Sequence, residues 1–72
     1  MKDEITITID SITATCIVAN IQLATRHEKN IGPSRKIAEN FAIKLQERII
    51  EINPMWKDVL EKGWDPNYDV AD

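Results

Sequence analysis

Basic residues cluster in one short stretch of the chain, where their chemistry would be the binding of anions. From Arg26 to Lys36 the sequence carries four basic residues and a single acidic one, Glu28. An arginine guanidinium can bind a phosphate or carboxylate through two parallel hydrogen bonds, and a lysine adds a point charge. Gly32 followed by Pro33 is typical of a loop that leads into a helix. The stretch therefore predicts a basic loop joined to the N-terminus of a helix.

This position favours an anion site, because a helix N-terminus presents unpaired backbone N–H groups and the positive end of the helix dipole. The Gly-Lys-Ser/Thr end of a P-loop is absent, so the motif does not identify the ligand. We expect a small phosphate-bearing, nucleotide-like molecule. The predicted ligand-binding residues are Arg26, His27, Asn30, Gly32, Ser34, Arg35 and Lys36.

Simpler interpretations of the same residues stay open. Basic residues in a loop are more often a solvated surface, and the acidic C-terminal segment is an alternative partner for them. His27 falls at the predicted end of a helix, where a histidine is more often a helix terminator than a ligand donor. The basic loop could also dock a macromolecular partner.

The chain contains few residues suited to catalysis or to metal binding. It contains one histidine, His27, and one cysteine, Cys16, which excludes an internal disulfide and a Cys/His zinc cluster. Cys16 falls among apolar residues at helical spacing and is predicted to be a small buried hydrophobe. Carboxylates at helical spacing, such as Glu47 with Glu51, have basic neighbours and are expected to be solvated pairs. We expect a non-enzymatic protein without cofactor or metal.

The elements that would hold these residues are mostly helical. Length and hydrophobic periodicity predict one small domain, a helical hairpin followed by a short third helix. Before it, three isoleucines alternate with two threonines, the pattern of a β-strand with one apolar face or, without a partner strand, of an extended arm. The predicted ranges are 1–10 for the strand or arm, 11–27, 33–52 and 54–62 for the helices, and 63–72 for an acidic tail.

Both long helices carry apolar residues on two sides, which predicts a homo-oligomer. On the first helix, one stripe contains Ile12, Cys16, Ala19 and Leu23, and a broader one contains Ala14, Ile17, Val18, Ile21 and Ala24. One neighbouring helix covers only one side, so a dimer or larger assembly would cover the other.

Further core and partner contacts are predicted for the aromatic residues and for the second helix. Phe41 and Trp56 fall on inner helix faces and are predicted to be core. The two aromatic residues of the tail either pack against the hairpin or grip a partner. The predicted partner-binding residues are Ile43 and Ile50, a narrow second stripe on the second helix, and Trp64 and Tyr68 of the tail.

Composition excludes several classes of protein. A hydrophobic content of 43% with 29% charged residues is ordinary for a folded domain, so disorder of the whole chain is not expected. The net charge of −3 argues against a general nucleic-acid binder. No apolar run reaches the length of a membrane span, and the N-terminus lacks the pattern of a signal peptide. A free thiol fits the reducing cytoplasm.

Three functions are consistent with these patterns: binding of a small phosphate-bearing ligand, a protein–protein interaction module or inhibitor that engages a partner through its tail and helix faces, and a structural subunit. In size and expected architecture, though in no motif, the chain resembles the small helical-hairpin oligomers with which phages sequester cyclic nucleotide signals. That resemblance implies ligand sequestration in counter-defence. The first function is preferred, because the basic charge coincides with a helix N-terminus.

Overall fold

The computed structural model describes residues 3–67, and the regular elements in this range are helical. Residues 1–2 and 68–72, which include Tyr68 and half of the predicted acidic tail, lie outside the described residues. Helix α1 spans Ser11–Ala24, and α2 spans Pro33–Ile52. A 3₁₀ turn, Pro54–Trp56, leads into α3, Lys57–Lys62. The mostly helical fold class is confirmed, and the range of α2 is the predicted one.

The predicted N-terminal strand is absent from residues 3–67. Residues 4–10 have no regular secondary structure, although their isoleucines and threonines alternate. A strand needs a partner for its backbone groups, and no other strand is found in the described part of the chain to supply it. Ile5 is 88% exposed, whereas Ile9 packs against the core. The segment is an arm that is anchored only at its end.

Helix α1 begins and ends on side-chain hydrogen bonds. The Asp10 carboxylate accepts from the backbone N–H of Thr13 at 2.6 Å, as expected of an N-cap residue. At the other end, the Asn30 side-chain amide donates to the Ala24 carbonyl at 2.7 Å. The helix therefore stops at Ala24, and the predicted extension to His27 is wrong, because residues 25–26 already form a turn.

The core of the described residues is small. Its fully buried apolar members come from all three helices: Ala14 and Val18, Ala42 and Ile49, and Leu60. The Cα positions extend over 39 × 32 × 15 Å, so the molecule is flattened along one direction. Twelve large hydrophobic side chains of the described residues remain exposed.

The exposure of three side chains overturns predictions of burial. The Cys16 thiol is exposed, Phe41 is 47% exposed and Trp56 is 38% exposed. All three are predicted to be buried, but residues 3–67 leave each of them exposed. The predicted narrow stripe on α2 also divides, since Ile43 is exposed and Ile50 packs against the core.

Two glutamines and an arginine hold residues 60–65, which we call the closing turn, against the hairpin. The buried Gln22 side chain donates from Nε2 to the Leu60 carbonyl at 2.7 Å. From α2, the buried Gln46 accepts at Oε1 from the Trp64 indole N–H, also at 2.7 Å. Arg26 donates to two further carbonyls of the turn, those of Gly63 and Asp65, at 2.9 and 2.8 Å.

The replacement of Gly63 by alanine tests this packing. Gly63 has an ordinary helical φ of −62°, so its requirement is for space: a Cβ here would overlap the side-chain amide of Gln22. We expect Gly63→Ala to lower the free energy of unfolding by about 1–3 kcal/mol, because the buried amide must give up its hydrogen bond. Urea denaturation followed by circular dichroism measures the change.

A double-mutant cycle is the control for that prediction. With Gln22→Ala in the background the overlap disappears, so the cost of Gly63→Ala should fall markedly. Equal costs in the two backgrounds would contradict the proposed cause.

The N-cap of α1 predicts that the folded protein becomes less stable in acid. The hydrogen bond from the Thr13 backbone N–H holds the pKa of Asp10 below its ordinary value of 3.8. The stabilisation is therefore complete above that value and is lost as the pH falls through the lower pKa of the folded state. Asp10→Asn keeps a capping side chain that does not titrate. Its melting temperature should match that of the wild type at pH 7 and fall less in acid, whereas Asp10→Ala should melt lower at both.

Candidate functional site

The structure divides the predicted anion-binding residues between two places. One group lines an open groove of about 300 Å³, the loop groove, formed by Ile31, Gly32, Arg35, Lys36 and Glu39. Gly32 is the N-cap of α2 and has a φ of +98°, a conformation that glycine adopts without strain. No side chain caps this helix, and Ser34 is exposed in its first turn. The loop groove thus combines an open helix N-terminus with two basic residues.

A carboxylate in the loop groove opposes this arrangement. Arg35 Nε lies 3.0 Å from an oxygen of Glu39 one turn further along α2, and both side chains are partly shielded from water. The guanidinium already has an anionic partner, and the carboxylate would repel a phosphate that entered the groove. Lys36 is the basic lining residue whose described contacts include no carboxylate.

The other predicted ligand residues serve the ends of α1 and the closing turn. Arg26 borders a separate groove with Gly63, and its guanidinium donates to neutral carbonyls, so its positive charge is not cancelled there. The His27 ring accepts at Nδ1 from the Lys29 backbone N–H at 3.1 Å. Asn30 donates to the end of α1. The His27 contact lies within the loop, and the C-cap of α1 is Thr25, so His27 does not terminate the helix.

A more extensive surface is apolar and lies along α1. We call it the α1 face; it comprises Ile12, Cys16, Ala19, Leu23 and the neighbouring Trp56, all of them exposed. Ile12, at 76% exposure, is nearly as open as in an unfolded chain.

Two shallow grooves flank the α1 face along the length of the helix. One, of about 190 Å³, is lined by Ser11, Ile12, Thr15, Cys16 and Trp56. The second, of about 170 Å³, is lined by Ala19, Gln22, Leu23, Arg26 and Gly63. The exposed apolar side chains of α1 are three or four residues apart, so they are neighbours on one side of the helix and not isolated residues.

The predicted partner-binding residues have different surroundings. Ile43 is exposed on α2, while Ile50 and Trp64 pack against the core. The Trp64 indole also bonds to Gln46, so its contacts lie within the chain. Tyr68 lies outside the described residues. Only Ile43 of this set is presented on the described surface.

Sequence reasoning did not identify Gln22 and Gln46, which are buried and position the closing turn. A signal was present, since Gln22 follows the buried Val18 by four residues and Gln46 follows the buried Ala42 by four. Residues four apart on a helix share a face, so each glutamine continues a buried row.

The acidic residues of α2 and α3 form ordinary surface ion pairs. Arg48 lies 2.9 Å from Glu51, and Lys57 lies 3.0 Å from Glu61; the hydrogen bond to Glu61 raises the pKa of Lys57. Among residues 3–67, no three His, Cys, Asp or Glu side chains are grouped so that they could hold a metal ion. None of the described helices combines the length and apolar character needed to cross a membrane.

Comparisons with protein-family models, with curated protein sequences and with solved structures gave no match.

Proposed function

We propose that this protein is a non-enzymatic interaction module that assembles with further copies of itself through its apolar surface. The observation that carries the proposal is the imbalance between its core and its surface. Five apolar residues are buried, whereas twelve large hydrophobic side chains of the described residues are exposed. A small monomer rarely presents a continuous apolar patch such as the α1 face unless it binds something there.

The energetics of a small core support this proposal. Full burial of one large apolar side chain contributes about 1.5–3 kcal/mol, so a core of five residues, two of them alanines, stabilises the fold only modestly. Small folds usually gain further stability from disulfides, metals or oligomerisation. The single cysteine excludes an internal disulfide. Another copy would cover apolar faces that the described residues leave open.

The oligomeric state tests the proposal directly. At micromolar concentration we expect dimers or larger species, because association removes the exposed apolar side chains from water. Sedimentation velocity over a hundredfold range of concentration, together with native mass spectrometry, gives the number of subunits. A monomer at every concentration would contradict self-assembly.

A second candidate function is the binding of a small phosphate-bearing ligand at the loop groove. Its support is the open N-terminus of α2 after Gly32, beside Lys36, in a groove whose volume is at the lower end for small-molecule sites. The ion pair of Arg35 with Glu39 counts against it, which is why we place this function second. Such a protein would sequester a nucleotide-like molecule, as its resemblance to phage counter-defence proteins implies.

A nucleotide titration tests the second candidate. If the loop groove binds phosphate, isothermal titration with ADP should show saturable binding, and Lys36→Ala should weaken it about tenfold, the effect of a lost contact of about 1.4 kcal/mol. Lys44→Ala, which removes an equal charge from an exposed position further along α2, is the matched control. The absence of saturable binding, or equal losses in the two variants, would reject the loop groove as the site.

A further inference from the structure

We propose that the α1 face binds the α1 face of a second copy across a two-fold axis, with the two α1 helices antiparallel. The inference rests on the proposed self-assembly and specifies its geometry. It is carried by the arrangement of residue sizes along α1 and by the distribution of charge around the ends of that helix.

The apolar stripe of α1 is symmetric about its own centre. Ile12 and Leu23 are equidistant from the midpoint between Ile17 and Val18, and so are Cys16 and Ala19. A two-fold axis at this midpoint would place Ile12 against Leu23 of the partner subunit, and Cys16 against Ala19 of the partner subunit. A two-fold interface needs a surface that is complementary to itself. The order of large, small, small and large residues along α1 gives such a surface.

Small residues at the centre let two helices approach closely. Interaxial distances of packed helices are about 8–10 Å, with the shorter values where small side chains meet. Cys16 and Ala19 supply such a centre, and the larger Ile12 and Leu23 fill the space towards the ends. Trp56 lies beside Ile12 and Cys16, so its ring would cover one edge of the contact.

Charge favours the antiparallel orientation and a second copy as the occupant. The segment that leads into α1 is acidic, with Asp3, Glu4 and Asp10. The segment that follows is net basic, since Arg26 and Lys29 outnumber its one acidic residue, Glu28. Antiparallel pairing brings the acidic beginning of one helix to the basic end of the other. Parallel pairing would bring like charges together. The hydrogen-bond acceptors of Arg26 are neutral carbonyls, so its positive charge is not paired with a carboxylate within these contacts.

The N-terminal arm would enlarge the interface. A stable interface buries about 800 Å² on each partner, and one stripe on a helix about 21 Å long supplies only part of that area. In the antiparallel pair the arm of one copy lies at the same end as the loop of the other. Exposed Ile5 and Ile7 of the arm and exposed Ile31 of the loop would then share a surface.

Disulfide trapping tests the orientation. In a Cys16→Ala background, the single variants Ile12→Cys and Leu23→Cys are prepared separately, mixed and mildly oxidised. We expect a covalent dimer from the mixture and little from either variant alone. In an antiparallel pair positions 12 and 23 face each other, whereas two copies of position 12 are about 16 Å apart along the axis, beyond the Cα separation of about 7 Å that a disulfide spans.

Charge insertion tests the surface itself. Ala19→Glu places a carboxylate at the centre of the α1 face, where the side chain is exposed, so the helical circular dichroism should persist while the dimer dissociates to monomers. Thr13→Glu makes a similar charge change at an exposed position about 90° around the same helix and should leave the dimer intact.

The outcomes separate this inference from the proposed function. An oligomer that survives Ala19→Glu would overturn the pairing through α1 but leave self-assembly standing. Cross-linking of each single variant with itself would overturn the antiparallel orientation. A wild-type monomer would overturn both proposals.

Discussion

The structure depends on the hydrogen bond between the buried amide of Gln22 and the carbonyl of Leu60. Helix α3 has only six residues, too few to be stable alone, and the carbonyls of its last turn have no partners within the helix. Gln22 satisfies the Leu60 carbonyl, Arg26 donates to the carbonyl of Gly63 just after the helix, and Gln46 holds Trp64. These contacts join a third helix to a hairpin that would otherwise bury almost nothing.

The same contacts explain why the chain leaves so much apolar surface open. They attach residues 60–65 to the hairpin, and this short segment leaves much of the helix surface uncovered. Val18 and Ile49 become fully buried between neighbouring helices, while Ile12 and Phe41 face outwards. A domain of this size with such faces is well suited to association, since the second copy that we propose would cover them.

The basic stretch shows how one residue type can serve structure as well as binding. A concentration of arginine beside a helix N-terminus is consistent with an anion site, but Arg26 holds the closing turn and Arg35 pairs with Glu39. A guanidinium carries five donors, so the same group that binds an anion elsewhere can hold backbone carbonyls. Whether such an arginine binds an anion or holds the fold depends on which distant part of the chain packs beside it. The residues near Arg26 in the sequence do not show that the closing turn does so.

The sequence by itself determined the features that arise within a few residues. The cap at Asp10, the start of α2 at Pro33 and the break at Asn53 follow from local hydrogen bonds and backbone preferences, so these boundaries could be predicted. The tertiary structure alone decided which apolar stripe of α1 is covered, that Gln22 and Gln46 are buried, and that Arg26 reaches Gly63 and Asp65. Burial depends on which distant parts of the chain pack against a helix. These contacts join residues 18 to 39 positions apart, and helical periodicity and capping carry no information over such distances.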